Sequence, residues 1–182
     1  MSAFAQRRYL AIFNCGVSAG CSRMHKHMQV FPAPEGFELW PDVSGGQATL
    51  PFKAFVHRFD AKEFPDPSAL LGIYTSLLGQ AEEALGSGWS SSPPDGKEKE
   101  APPHNFVLSR EWMMVVPRRA AGWKGADTNA AGVLGMLWVS DEEKMLLWMD
   151  LGPARVLAQL GVPADGTDTH LLDSVTGVPP RG

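Results

Sequence analysis

Two short β-type segments near the start of the chain, joined by small and polar residues, most limit the possible folds. The first reads RYLAIFNC, and the second reads HKHMQVFP and stops at Pro32. Their aromatic and β-branched residues are typical of strands. Because only a short run of residues separates them, the sequence predicts an antiparallel pair with a functional loop.

Further segments complete a predicted sheet. ATLPFKAFVHRFD is extended and suits a sheet edge, because Pro51 cannot donate to a ladder. NFVLSREWMMVVPRR indicates two strand segments or a hairpin. Residues 120–131 are predicted to form a Gly/Ala-rich loop, and GVLGMLWVS is predicted to form another strand.

Three segments have helical patterns. DPSALLGIYTSLLGQAEEALG has Asp66 or Ser68 as a cap and an apolar stripe. The stripe consists of Leu70, Leu71, Tyr74, Leu77, Leu78, Ala81 and Leu85. SDEEKMLLWMDLG begins with Ser140 as a candidate cap, and GPARVLAQLG is a short last helix. The sequence thus predicts an α+β fold, with a mainly antiparallel sheet and flanking helices.

The predicted domain covers residues 1–163. Within it, residues 86–104 lose all hydrophobic periodicity and are rich in Ser, Pro and charge, which predicts a flexible insertion. Residues 164–182 are rich in Pro, Gly and Asp, which predicts a loosely ordered tail.

Charge and cysteine content narrow the function classes. The net charge of −4 with no dominant basic stripe disfavours nucleic-acid binding. Cys15 and Cys21 are the only cysteines and lack metal-type spacing, so a reducing compartment, the cytoplasm or also the nucleus, is expected. No apolar stretch is long enough for a membrane helix, so no membrane association is predicted.

The second segment carries the candidate chemistry. In a strand, His25, His27 and Gln29 share one face because side chains alternate. A neutral imidazole can attack an α-phosphorus and hold a nucleotide covalently, provided that a neighbour fixes its tautomer. Gln29 can donate to the phosphate oxygens, and Asn14 and Ser22 add donors. The glycines of GVSAGCS allow backbone N–H groups to approach them.

The residues alone leave two alternatives to a phosphate-transfer site open. The segment could be a strand with exposed or hydrogen-bonded histidines after a Gly/Ser turn. A zinc site would need a third ligand, for which His57 and His104 are distant candidates.

Other residues fit structural roles. Seven tryptophan and methionine side chains are predicted to lie mainly in the core: Trp112, Met113, Met114, Trp138, Met145, Trp148 and Met149. Arg118 and Arg119 are interpreted as a solvated strand end.

Taken together, the loop and the histidines resemble the active-site segment of the fungal diadenosine tetraphosphate phosphorylases, or ATP adenylyltransferases, of the histidine-triad-like superfamily. The resembling pattern is N-x-G-x-S-A-G-x-S-x-x-H-K-H-x-Q. FVLSREWMMVVPRR and the stretch from NAAGVLGMLWVS to LGVP resemble later segments of the family, so the similarity covers about residues 9–163. Family members carry a long N-terminal portion, of which only residues 1–8 precede the motif here.

The resemblance implies that diadenosine tetraphosphate and phosphate are converted to ADP and ATP through an adenylyl-histidine. His27 would be the nucleophile. The implied substrate contacts are Asn14, Gly20, Cys21, Ser22, Arg23, His25, Gln29, Asn129, Ala130, Ala131 and Met136. No resident cofactor or protein-bound metal is implied, although a divalent cation such as Mg²⁺ could accompany the polyphosphate. A truncated or split nucleotide-binding protein is the alternative, with a missing N-terminal half or self-association at an exposed sheet edge.

Overall fold

The computed structural model describes residues 7–23, 25–43, 50–60, 63–86 and 101–164. Its strands are β1 (Tyr9–Cys15), β2 (Met28–Pro32), β3 (Phe55–Arg58), β4 (His104–Leu108), β5 (Trp112–Pro117), β6 (Gly122–Trp123) and β7 (Ala126–Asp127). Its helices are α1 (Pro67–Leu85), α2 (Glu142–Leu151) and α3 (Pro153–Leu160). No helix in these ranges is both long and apolar enough to cross a membrane.

The main sheet has five strands in the order β2-β1-β4-β5-β3. Every neighbouring pair is antiparallel, and β2 and β3 form the two edges. The predicted α+β class with an antiparallel sheet is therefore confirmed, as are the first strand pair, the hairpin of β4 and β5, and the edge position of β3.

The two faces of this sheet are covered by different parts of the chain. Leu10, Ile12 and Asn14 of β1 point to one face, called the site face below, because side chains alternate along a strand. Phe13 points to the opposite face, called the helix face. Apolar residues of the loops cover the site face, and α1 covers part of the helix face, where Phe13 packs with a buried cluster that includes Leu77.

The capped helix α1 is confirmed. Asp66 caps it, since its carboxylate accepts a hydrogen bond from the backbone N–H of Ala69 over 2.8 Å. Leu77 and Ala81 are buried against the sheet. Leu71 is exposed, so its place in the predicted stripe is wrong. It lies one residue outside the face formed by the inward-facing residues.

The strand predicted from GVLGMLWVS is wrong. Gly132–Leu134 form a 3₁₀ turn, and the residues after it have no regular structure. Gly135 adopts a φ of 92°, which breaks an extended run. Val133 and Leu134 are nevertheless buried, because the segment folds over the site face instead of joining the sheet. An apolar run is ambiguous between these two outcomes.

The beginning of α2 also differs from the prediction. Asp141, not Ser140, caps this helix by accepting from the backbone N–H of Lys144 over 2.8 Å. Trp138, Met145 and Met149 are exposed, so their predicted core positions are wrong.

Trp148 of α2 is buried, as predicted. So are three residues of the central strand β5: Trp112, Met113 and Met114. The buried and exposed members of this set differ in their tertiary surroundings, which composition does not encode.

The predicted Gly/Ala-rich loop at 120–131 contains the short hairpin of β6 and β7. Lys124 and Gly125 have φ values of 50° and 87°, as the tight turn of a two-residue hairpin loop requires. Strands of two residues are too short to show alternation in a sequence.

The predicted insertion, 86–104, falls largely on residues 87–100, which lie outside the described ranges. Its last residue is placed wrongly, because His104 begins β4 and is fully buried. The predicted tail, 164–182, also lies outside the described ranges except for Ala164.

Candidate functional site

The loop after β1 is a tight turn against a second loop. Val17–Ala19 form a single 3₁₀ turn, flanked by Gly16 and Gly20 with φ values of 84° and 79°. A Cβ on Gly20 would lie 2.7 Å from the carbonyl oxygen of Thr128. Glycine is therefore required at residue 20 both for its backbone conformation and for the close approach of the two loops.

The two histidines precede β2, so their predicted placement within a strand is wrong. The ladder with β1 ends at the pair Phe13–Met28. His25 is exposed, His27 is half-buried, and their ring centroids lie 5.4 Å apart. Beyond this pair β1 has a partner only on its other side, where Asn14 and Cys15 pair with β4, and the chain then turns at Gly16.

His27 is oriented by its own chain. Its Nδ1 lies 3.3 Å from the carbonyl oxygen of His25. Because a carbonyl only accepts hydrogen bonds, Nδ1 carries the proton in this contact, which leaves the lone pair on Nε2. The arrangement thus provides an imidazole nitrogen that can act as a nucleophile.

Gln29 lies on the site face of β2. It pairs with Ile12 in the antiparallel ladder, and paired residues point to the same face. Asn14 is two residues further along β1 and therefore shares this face. Gln29 and Asn14 thus share a face because of the register.

Asn14 is buried at the end of β1, and its side-chain oxygen is used twice. Oδ1 accepts from Nδ2 of Asn105 over 2.8 Å and from the backbone N–H of Ala130 over 2.9 Å. One side chain therefore joins β1, β4 and the loop at 128–131.

Asn105 and Arg118 extend this buried network. Asn105 Nδ2 also donates to the carbonyl oxygen of Ala19 over 2.8 Å, and Asn105 Oδ1 accepts from Arg118. The Arg118 guanidinium donates as well to the carbonyl oxygens of Ala120 over 2.9 Å and Thr128 over 3.1 Å. Burial lowers the pKa of Arg118 to about 10.

The interpretation of Arg118 as a solvated strand end is wrong, and Asn105 was missed. Arg118 is fully buried. A signal existed in the sequence, because Arg118 continues the alternation of Trp112, Met114 and Val116 on the site face. This pattern predicts an inward-pointing guanidinium.

The second loop is ordered by its own hydrogen bonds. Asn129 Oδ1 accepts from the backbone N–H of Ala131 over 2.9 Å, and Ala131 O accepts from the N–H of Met136 over 3.1 Å. Ala130 and Ala131 are buried, and Met136 packs on the core of the site face. The structure therefore brings Asn129 and Ala130 close to the first turn, although they are distant in sequence.

The remaining predicted residues complete the first turn. Cys21 donates through its thiol to the carbonyl oxygen of Arg23 over 3.0 Å. Ser22 and Arg23 are exposed, and neither Cys15 nor Cys21 forms a disulfide among the described residues. The exposed hydroxyl and guanidinium are suitable for binding an anion.

A zinc site on the histidines gains no support. Both nitrogens of His104 are engaged, with Tyr74 Oη at 2.8 Å and the Pro102 carbonyl oxygen at 2.6 Å. His57 lies on β3, at the sheet edge opposite β2. Among the described residues, no group of three or more His, Cys, Asp or Glu could hold a metal ion.

The fold is similar to that of yeast Ap4A phosphorylase Apa2. One structure of that protein matches with a TM-score of 0.70 at 26% identity, over 90% of this chain and 59% of that chain. A structure in complex with Ap4A matches with a TM-score of 0.68 at 25% identity, over 86% and 55%. The fold therefore belongs to the class of histidine-triad-like α+β proteins.

Sequence comparison shows the family. Residues 48–163 match the model of the ATP adenylyltransferase C-terminal domain, and residues 1–43 match that of the Ap4A phosphorylase N-terminal domain. The chain belongs to the ATP adenylyltransferase family.

Two proteins of Saccharomyces cerevisiae are among its relatives. Diadenosine 5',5'''-P1,P4-tetraphosphate phosphorylase 2 is 31% identical over 157 residues, and Protein APA1 is 27% identical over 157 residues. Each match covers 76% of this chain and 47% of the relative, so the chain spans about half the length of these relatives.

Proposed function

We propose that this chain carries the adenylyl-transfer site of a diadenosine tetraphosphate phosphorylase. The observation that carries the proposal is the oriented His27, which stands next to the glycine turn in a chain of the ATP adenylyltransferase family. Support comes also from a similar protein, yeast Apa2, whose structures include complexes with Ap4A and with AMP.

The reaction proceeds in two displacements. Nε2 of His27 attacks the α-phosphorus of diadenosine tetraphosphate, an N–P bond forms, and the P–O bond to the leaving ATP breaks. An oxygen of inorganic phosphate then attacks the same phosphorus, the N–P bond breaks, and ADP is released. The proton on Nδ1 stays on the His25 carbonyl contact during the first attack, which stabilises the imidazole that becomes positively charged.

The surrounding donors bind the phosphates. Gln29 and the exposed Ser22 and Arg23 offer donors from β2 and the turn, where negative charge develops. Gly20 brings the turn against the loop that contains Asn129 and Ala130, whose proposed role is to contact the nucleotide. A divalent cation such as Mg²⁺ would reach the site bound to the polyphosphate oxygens, which are hard ligands that suit it.

The test is a trapping experiment. The protein is incubated with diadenosine tetraphosphate without phosphate, and the mass of an AMP unit is sought on His27. We expect this adduct in the wild type and in the control His57→Gln, and none in His27→Gln. Addition of phosphate should release ADP. A wild-type protein that forms neither the adduct nor ADP would contradict the proposal.

Nucleotide binding without turnover is the second candidate. It is motivated by the length of the chain, which covers 47% of its relative from Saccharomyces cerevisiae. In that case an ATP analogue binds, but no ADP forms from diadenosine tetraphosphate and phosphate. Turnover that is restored by a separately added N-terminal fragment of a relative would support a split protein.

In the described ranges, β2 has a neighbouring strand on one side only, and its other side is a candidate surface for protein partners. Met28 and Val30, which share the helix face, are 55% and 65% exposed. An N-terminal portion of the kind found in the family, or a second copy of this chain, could cover this edge, since edge strands readily pair. Light scattering of the purified protein distinguishes a monomer from a self-associated form. The proposed location is the cytoplasm, with the nucleus as a second possibility.

A further inference from the structure

We propose that Arg118 acts through Asn105 as an orientation lock, which makes Asn14 present its amide NH₂ group, and not its oxygen, to the substrate. This inference rests on the proposed function, because the substrate is taken to be a phosphate-containing nucleotide. Asn105 and Arg118 are positioning residues in this scheme, since they act on the substrate only through Asn14.

The lock begins at a group that can only donate. The guanidinium of Arg118 has no acceptor atom, so the group of Asn105 that faces it must be the oxygen Oδ1. Nδ2 of Asn105 then points the other way. It donates to the carbonyl oxygen of Ala19, which can only accept, so both ends of the Asn105 amide are determined.

The same logic fixes Asn14. The group of Asn14 that faces Nδ2 of Asn105 must accept, and the backbone N–H of Ala130 requires an acceptor at the same atom. Both donors therefore use Oδ1 of Asn14. The NH₂ group is the part of this side chain that remains for a ligand, and it suits phosphate oxygens, which only accept.

The lock also couples the two loops of the site. Asn105 holds the first turn at Ala19, and Arg118 holds the second loop at Ala120 and Thr128. In the described part of the chain, the hydrogen-bond acceptors of this buried guanidinium are all uncharged oxygens. The positive charge of Arg118 is thus not neutralised by them, and it favours an anion at the neighbouring site.

Asn105→Asp tests the lock. The new carboxylate has nearly the same shape and still accepts from Arg118, but it cannot donate to Asn14 or Ala19. The carboxylate then needs a donor from Asn14, while the Ala130 N–H still needs its oxygen, so the Asn14 amide can no longer satisfy both neighbours and its NH₂ group is drawn away from the ligand. We expect the Kd for AMP to rise about tenfold or more, the effect of replacing a donor by an acceptor opposite a phosphate.

Thermal stability separates this effect from general damage. The carboxylate introduced by Asn105→Asp forms an ion pair with Arg118, which offsets part of the two lost hydrogen bonds, so the Tm should fall by no more than a few degrees. Weaker AMP binding at a similar Tm, together with nuclear Overhauser contacts that show an altered orientation of the Asn14 amide, supports the lock and not simple repulsion by the new charge. Unchanged binding by Asn105→Asp, while the wild type binds AMP, would overturn it and leave the proposed function standing.

A measurement without ligand distinguishes a failure of the lock from a failure of the proposed function. In the wild type, the side-chain amide protons of Asn105 should show nuclear Overhauser contacts to Ala19, and they should be protected from exchange. If the wild type binds no AMP but shows these contacts, the proposed function fails and the arrangement of the lock stands. Amide protons of Asn105 that show neither the contacts nor the protection would overturn the lock itself.

Discussion

Asn14 and Asn105 face each other across the antiparallel pair of β1 and β4, with 2.8 Å between the Asn14 side-chain oxygen and the Asn105 side-chain nitrogen. This contact lies at the strand ends, where the glycine turn and the second loop meet. A polar pair of this kind stabilises the fold only because every described contact matches a donor with an acceptor. It links the core of the sheet to the residues proposed to bind nucleotide.

The contact of Nδ1 with the His25 carbonyl predicts which nitrogen of His27 would carry the adenylyl group under the proposed function. We expect the AMP unit on Nε2, because the lone pair is there. His27→Gln should lower the rate of ADP formation by at least about a thousandfold, since the covalent step is lost. Mass spectrometry combined with NMR of the trapped protein identifies the nitrogen, and an adduct on Nδ1 would contradict the tautomer assigned here.

Gly20 should tolerate no side chain. In Gly20→Ala the added Cβ meets the Thr128 carbonyl oxygen at 2.7 Å, and the φ of 79° is unfavourable for alanine. We expect a loss of about 1–3 kcal/mol in the free energy of unfolding, measured with urea, together with weaker nucleotide binding.

Gly36→Ala is the matched control. Gly36 has a φ of 82°, but no heavy atom lies within 4 Å of its added Cβ. It therefore shares only the backbone cost with Gly20→Ala. Equal losses in the two variants would show that the approach of the two loops contributes nothing.

Asp42 should stabilise the fold in a pH-dependent manner. Its carboxylate accepts two hydrogen bonds of 2.6 Å from Arg8 and one of 2.7 Å from the Trp112 indole. Burial alone would raise the pKa of Asp42, but the hydrogen bonds from Arg8 and Trp112 outweigh it and lower the pKa. The stabilisation is thus complete above the ordinary carboxyl pKa of about 4 and is lost as the pH falls through the lower folded value.

Asp42→Asn should cost about 1–3 kcal/mol at pH 7, and the difference from the wild type should shrink below about pH 4. Glu35→Gln is the control, since the ion pair of Glu35 with Arg7 is exposed and 4.0 Å long. It should change stability by less than about 0.5 kcal/mol. Urea unfolding at several pH values measures both, and a pH-independent cost in Asp42→Asn would contradict the linkage.

Half-buried Tyr74 and fully buried His104 form a hydrogen-bonded pair that should make the stability of the fold depend on pH in both directions. Burial lowers the pKa of His104 and raises that of Tyr74 to about 12. When the pH falls below about 6.5, the unfolded state binds a proton that neutral, folded His104 does not, so stability decreases. Between about pH 10 and 12 the unfolded tyrosine loses its proton first, and stability decreases again.

Tyr74→Phe should cost about 1–3 kcal/mol near pH 8, because Nε2 of buried His104 loses its donor. The variant should also lose part of the decline above pH 10. Tyr9→Phe is the control, since Tyr9 is the other tyrosine of the chain and is exposed. Equal stability of Tyr74→Phe and the wild type near pH 8 would contradict the role assigned to this hydrogen bond.

Local patterns were sufficient for much of the fold. The strand-type composition of β1 and β5, the stripe and cap of α1 and the proline that begins α3 all lie within a few residues of chain. Such signals can therefore be recognised from a single sequence. The segment at 132–140 was misread because an apolar run does not reveal whether it joins a sheet edge or covers a face.

The sequence alone determined the antiparallel first pair and the flanking helices, since each depends on residues near one another in the chain. The nomination of His27 as the nucleophile is what the family resemblance implies, and it stays a prediction. Only the tertiary structure decided that Asn14, Asn105 and Arg118 form one buried network. Their spacing is long, and the hydrogen bonds between them require the register of β1, β4 and β5. The tertiary structure likewise decided that Trp138 is exposed while Trp148 is buried, because burial depends on what packs against a side chain and not on its type.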